Sequence, residues 1–210
     1  KARRALAEAL AKHEWNVVVC HSVWAQIAFA PTVRKYNLPL FLWQHDAWTG
    51  RSTLERLAKR ARPDFIIVNS HYSATTTERV YPRIAREVLY YPVATKSVGT
   101  PSAPRETFRS QLGAAPNITV VTQVSRLEPW KGQTVLLEAL SRLTTRRPWA
   151  CWIVGGVQTA AEERYLQELT ALATTLRLDG RVRFLGQRSD VVPLLAASDI
   201  FCQPNTGPEP

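Results

Sequence analysis

The stretch "TQVSRLEPWKGQTVLLEAL" (122–140) places Arg126 and Lys131 around a short loop, between an apolar run ending near Ser125 and a helical pattern. Pro129 suits a first helical turn. Two cations at the end of a strand and beside a helix N-terminus suit a phosphate, which both amides and cations can hold. In "FLWQHDAWTG" (41–50), His45 and Asp46 close another apolar run, where an imidazole can donate to a ligand or act as acid or base. Glu209 stands in the loop "NTGPEP" (205–210), and Gly155 and Gly156 end "WIVGG" (152–156), where a missing Cβ lets a ligand approach the backbone. Each has an ordinary alternative: solvated surface cations, a turn-capping histidine, a solvated loop carboxylate. His21 and His71 also follow apolar runs. No Ser or Cys nucleophile motif accompanies His45, and neither G-x-G-x-x-G nor G-x-x-x-x-G-K-[ST] occurs, so hydrolase-triad, dehydrogenase and P-loop chemistry lack their motifs.

These residues sit at the ends of short β-type runs: 16–22, 38–45, 64–70, 87–93, 117–125, 150–156, 182–186 and 199–205. Helical stretches alternate with them, clearest over 132–147 and 160–178; in the former Val135, Leu136, Ala139, Leu140 and Leu143 recur at 3–4 spacing. The runs are nearly continuous in apolar residues, as parallel strands covered on both faces are. The order predicts α/β architecture with doubly wound sheets. "PVATKSVGTPSAPRE" (92–106) interrupts the rhythm with three prolines and reads as a linker, which puts a domain boundary near residue 100: 1–100 and 101–210. Ligands of such sheets bind beyond the carboxyl ends of the strands, where the candidate residues lie.

Composition narrows the partners. The 210 residues carry a net charge of +10, which favours anionic partners: nucleic acid, acidic lipid or phosphorylated small molecules. The hydrophobic share of 45% argues against disorder, and no apolar run approaches the length of a membrane span. Three cysteines, Cys20, Cys151 and Cys202, lie inside apolar runs with no metal-ligand spacing and read as buried thiols of a reducing compartment, hence a cytoplasmic location. The absence of any methionine and the turn-rich end predict a segment of a longer protein. "KARRALAEALAKH" and "RSTLERLAKRARP" can present basic faces to anionic membrane. A basic nucleic-acid-binding protein is the reading from another class, but the cations are spread along helices without a recognition motif, so no nucleic acid is expected.

Taken in order, "VSRLEPWKGQTVLLEAL", "WIVGG" and "VRFLGQRSDVVPLLAASDIFCQPNTGPEP" closely resemble the second domain of the GT-B retaining glycosyltransferases of family 4. "NVVVCHS", "FLWQHD" and "DFIIVNSHYSATTTERVYP" resemble the later part of that family's first domain. The resemblance implies two Rossmann-like domains facing a cleft, both incomplete here: 1–100 from the acceptor side, 101–210 binding the donor. It implies transfer of a sugar, with retained configuration, from a nucleotide-diphosphate sugar to a sugar, glycan or lipid-linked acceptor. No cofactor and no metal are implied, and no Asp-x-Asp motif is present. Arg126 and Lys131 match the basic pair that holds the donor diphosphate, Glu209 the first glutamate of the E-x7-E motif, and His45 the histidine that reaches toward the donor sugar. Gly155 and Gly156 resemble the glycines past which the nucleotide runs. The second glutamate of E-x7-E and the glycine-rich loop of the first domain fall outside the sequence, so residues 1–210 alone are expected to be inactive. "ATKSV" replaces an Asn-Gly turn common in the family after "YYPV".

Overall fold

The computed structural model describes residues 1–92, 105–144 and 147–207. The chain divides into two compact units, Lys1–Val93 and Ala94–Gly207. The linker expected over 92–106 falls mostly on residues outside the described ones, as does Glu209.

In the first unit α1 (Ala2–Leu10) leads to β1 (Val18–Cys20), then α2 (Val23–Lys35), β2 (Leu40–Gln44), α3 (Thr53–Ala58), β3 (Phe65–Val68), α4 (His71–Thr77) and β4 (Arg86–Val88). The strands form one parallel sheet in the order β1-β2-β3-β4. A serine caps the start of each of α2, α3 and α4: Ser22, Ser52 and Ser70 accept from the N–H groups of Ala25, Glu55 and Ser73. Only alternate residues of β2 and β3 are fully buried: Leu40, Leu42 and Gln44, then Ile66 and Val68. Leu42, Ile66 and Val68 form a core with Val23, Ala58 and Tyr81, so among the described residues one face of this sheet is the packed one. Full cover of both faces, as the apolar runs suggested, is not found here: Phe41, Trp43, Phe65 and Ile67 are only half-buried.

The second unit has α5 (Arg105–Gln111), β5 (Thr119–Val124), α6 (Gln133–Ser141), β6 (Trp149–Val154), α7 (Ala160–Thr175), β7 (Val182–Phe184), α8 (Val191–Ala197) and β8 (Ile200–Phe201). Its strands are parallel in the order β7-β6-β5-β8. β6 is buried at every residue, with cores on both faces: Cys151 and Ile153 with Leu137 and Leu169, and Trp152 and Val154 with Phe108 and Leu194. Asp199 ties the sheet's edge together. Its carboxylate accepts from Val120 N–H at 2.7 Å and Arg109 at 3.1 Å, and pairs with Arg105, while Arg109 is itself 3% exposed. Cys20 and Cys151 are buried free thiols, as the sequence suggests; Cys202 is only half-buried.

Candidate functional site

The strand order of the second unit locates its site. From β5 the chain winds outward through β6 to β7, then returns to lay β8 on the other side of β5. The direction of winding reverses between β5 and β8, and in open α/β sheets the crevice at that switch point is where ligands bind. The loops leaving β5 and β8, residues 125–132 and 202–207, face this crevice.

Buried amides hold the first loop. Gln133, fully buried at the start of α6, donates to the Arg126 carbonyl at 2.8 Å and to Ser125 Oγ at 3.1 Å. Gln123, fully buried in β5, donates to the Lys131 carbonyl at 2.7 Å. Between them Pro129–Lys131 forms one 3₁₀ turn, and Gly132 starts α6 with φ of +77°. A Cβ on Gly132 would lie 1.8 Å from the Pro204 carbonyl oxygen, so only glycine lets the two loops approach this closely. Thr206 N–H then donates to the Trp130 carbonyl at 2.9 Å, joining the β8 loop to the β5 loop.

Four of the sequence-predicted residues, Arg126, Lys131, Gly155 and Gly156, lie in the second unit around this junction. Arg126 is exposed; its guanidinium pairs with Glu128 at 3.2 Å and Glu162 at 3.1 Å. Glu162 also takes the Gln158 and Thr159 N–H groups as the capping box of α7, and these donors with Arg126 hold its carboxyl below the usual range against the opposing effect of burial. The Lys131 ammonium lies 4.0 Å from the centre of the Trp130 ring. Gly155 abuts the β5 exit, where a Cβ would come within 2.2 Å of the Ser125 carbonyl oxygen, and its N–H donates to the Gly186 carbonyl at 3.0 Å. Gly156 packs against Gln187, whose Cβ would be 2.5 Å from an added methyl. A cleft of about 320 Å³ opens between Arg126–Pro129 and the first turns of α7, with Glu162 and Arg164 in its wall. A larger concavity, about 640 Å³, runs along α5 and Gly113–Pro116, at the entry to β5 rather than its exit.

In the first unit His45 stands at the exit of β2. Asn69 donates to its carbonyl at 3.3 Å, and Gln44 donates to the Asp46 carbonyl at 2.8 Å. Its ring joins a hydrogen-bonded row: Nδ1 meets the Tyr91 hydroxyl, and Nε2 lies 3.3 Å from His21 Nδ1. The planes of His21 and His45 differ by 14° and those of His45 and Tyr91 by 10°, with Trp43 packed against the row at 4.9 Å from His21. Burial disfavours the imidazolium and His21 adds to this, so His45 titrates below its ordinary value although Asp46 opposes the shift. His21 was visible as a residue after a strand. Its partnership with His45 follows only once β1 and β2 are known to be neighbours.

Two parallel α/β sheets with cations at a switch point define a two-unit, GT-B type architecture. The chain belongs to the glycosyl transferases group 1 family, whose model matches residues 104–210. Over 123 residues it is 36% identical to D-inositol 3-phosphate glycosyltransferase of Corynebacterium efficiens, covering 54% of this chain and 28% of that protein. Over 109 residues it is 35% identical to GDP-mannose-dependent monoacylated alpha-(1-6)-phosphatidylinositol monomannoside mannosyltransferase of Corynebacterium glutamicum, covering 50% and 27%. The crystal structure of Anabaena Alr3699/HepE in complex with UDP superposes with a TM-score of 0.86 at 29% identity, covering 99% of this chain and 57% of that one. The same Anabaena protein has also been solved in complex with UDP-glucose. The matched regions thus span about a quarter of the length of these curated relatives, and the chain a little over half of the solved structure.

Proposed function

We infer that this chain is the donor-binding half and part of the acceptor-side half of a retaining family 4 glycosyltransferase. The enzyme moves a sugar from a nucleotide-diphosphate sugar to a sugar, glycan or lipid-linked acceptor. The observation that carries this is the braced pair of loops at the β5/β8 switch point, with Arg126 and Lys131 in one and Pro204–Gly207 in the other. The likeness to a protein solved with UDP and, separately, with UDP-glucose supports a nucleotide-sugar donor.

Breaking the bond between anomeric carbon and phosphate builds negative charge on the leaving diphosphate. Arg126, Lys131 and the amide end of α6 stabilise that charge most as it develops, a role that needs no divalent metal. Both terminal nitrogens of Arg126 contact carboxylates, so the diphosphate displaces Glu128. That pair is part-exposed and worth under about 1 kcal/mol, whereas Glu162 is held by several donors and stays to orient the guanidinium. His45 and Glu209 contact the transferred sugar, Gly155 and Gly156 leave room for the nucleotide, and the leaving phosphate accepts the acceptor's proton. Residues 1–210 alone are inactive, because the second glutamate of E-x7-E lies beyond them.

The test is nucleotide release by the full-length protein from a panel of UDP-, GDP- and ADP-sugars, with Lys131→Ala as control. Release from one donor, reduced on the order of 100-fold or more in the variant, is the expected result. Failure to release or bind any nucleotide overturns the assignment.

A further inference from the structure

The first unit has a second polar surface that the sugar chemistry does not use. Residues 1–92 carry 14 Lys and Arg against 7 Asp and Glu, so +7 of the chain's +10. Many of these cations stand in the segments that enter β2, β3 and β4, at the edge of the sheet opposite the His45 exit. There they line three adjoining concavities. One, of about 420 Å³, has Arg3, Arg4 and Lys35 in its wall. The next, of about 240 Å³, shares Pro31 with it and adds Arg34, Arg60 and Arg62. The third, of about 170 Å³, shares Arg62 and adds Lys59 and Arg83. No Asp or Glu lines any of the three. Among the described residues Glu8 pairs with Arg4 and Asp64 with Arg34, while Lys35, Lys59, Arg60, Arg62 and Arg83 have no carboxylate partner.

Exposed apolar groups are interleaved with this charge. Tyr36, 38% exposed, shares the first concavity, and Leu57, 42% exposed, shares the second. Trp15, 45% exposed, stands in the segment that enters β1. Unpaired cations alone suit any polyanion. Cations set among an exposed aromatic and an exposed leucine suit a bilayer interface, where anionic headgroups meet the charge and the apolar groups enter the headgroup layer. No helix of the described residues is long and apolar enough to cross a membrane, and the contact these groups suit is with the headgroup layer. We propose that the band from Arg3 to Arg83 docks the protein on an anionic phospholipid surface, through the sheet edge opposite His45.

The experiment is co-sedimentation of the full-length protein with phosphatidylcholine vesicles, with and without phosphatidylglycerol, at low and physiological ionic strength. The expected result is binding only to the phosphatidylglycerol vesicles, weakened by salt. Binding should fall on the order of 100-fold in Lys35→Glu/Arg60→Glu/Arg83→Glu, since each cation near such a surface contributes a several-fold gain. A matched reversal on the second unit, Arg142→Glu/Arg177→Glu/Arg183→Glu, should leave it unchanged. Thermal unfolding checks that both triples fold; if the first does not, Lys35→Gln/Arg83→Gln replaces it, with a smaller expected loss. Equal losses in both triples, binding indifferent to phosphatidylglycerol, or tighter capture of a single-stranded RNA through the same three residues would overturn the proposal.

Discussion

Replacing Gly132 by alanine puts the closest approach in the site under test. The new Cβ would start 1.8 Å from the Pro204 carbonyl oxygen and 2.6 Å from its carbon, where real Cβ contacts do not fall below 3.0 Å. The Pro204 carbonyl must therefore retreat by about 1.2 Å, the difference between 3.0 and 1.8 Å. That retreat strains or breaks the 2.9 Å hydrogen bond from Thr206 to Trp130, worth about 1 kcal/mol. Residual crowding adds about 1–2 kcal/mol, and the left-handed backbone costs a non-glycine residue about 1 kcal/mol more. The expected loss is about 3–4 kcal/mol of the second unit's stability. Gly180 separates the contributions, because its φ is also +77° but a Cβ there meets nothing within 4 Å. Gly180→Ala should cost only the backbone part, about 1 kcal/mol. Urea unfolding followed by far-UV circular dichroism measures both. Donor turnover should fall about 100-fold in Gly132→Ala and hardly at all in Gly180→Ala, because a shift of about 1 Å in a positioning loop is costly. Equal destabilisation by the two substitutions would refute the argument that loop-to-loop approach, rather than φ alone, requires glycine at 132.

Asp199→Ala leaves Arg109 buried without its carboxylate. It should cost about 2–3 kcal/mol, below the full value for a buried pair because Asp199 is 35% exposed; a loss under about 0.5 kcal/mol in urea unfolding would sink that reading. Burial pushes the Asp199 carboxyl up, but Val120 N–H, Arg109 and Arg105 outweigh it and hold the group below its ordinary range. Its contribution is therefore full above the ordinary carboxylate value and lost as pH falls through the lowered one, so the acid limb of the stability curve should flatten in Asp199→Ala. His45 should titrate below 6.5 by NMR and move upward in His21→Ala; an unmoved His45 would mean that the two rings are not coupled. Because its folded value is lowered, the His45 contribution to stability is present above the ordinary value and lost as pH falls from there through the lowered value.

The sequence displayed the strands better than the partnerships. β6 reads as an apolar run, and both of its faces are indeed packed. The run 87–93 overestimates β4, which ends at Val88; Tyr90 and Tyr91 are more than half exposed or close to it, and Tyr91 instead meets His45. The helix expected over 132–147 ends at Ser141, whose hydroxyl turns back to the Glu138 carbonyl, although the periodic leucines run on to Leu143. The placement of Arg126 and Lys131 between a strand end and a helix start was legible because all of these follow one another within ten residues or so. Glu162 as the partner of Arg126 was not, because it arrives from 36 positions later, on another helix. The role of Asp199 was hidden for the same reason: two arginines 90 and 94 positions earlier use it.

That last feature bears on how the chain can fold. β8 is the strand beside β5, yet the register pairs Val121 with Ile200, so the innermost edge of the sheet closes across some eighty residues while β5 and β6 pair over thirty. Loop closure at that separation is slow relative to local contacts. During synthesis β5, β6 and β7 can assemble first, leaving the free edge of β5 and the guanidinium of Arg109 waiting. Arrival of Asp199 covers both at once, so the switch-point crevice forms only after β5, β6 and β7 can already have assembled, and a ribosome stalled before residue 199 would hold a sheet without that crevice.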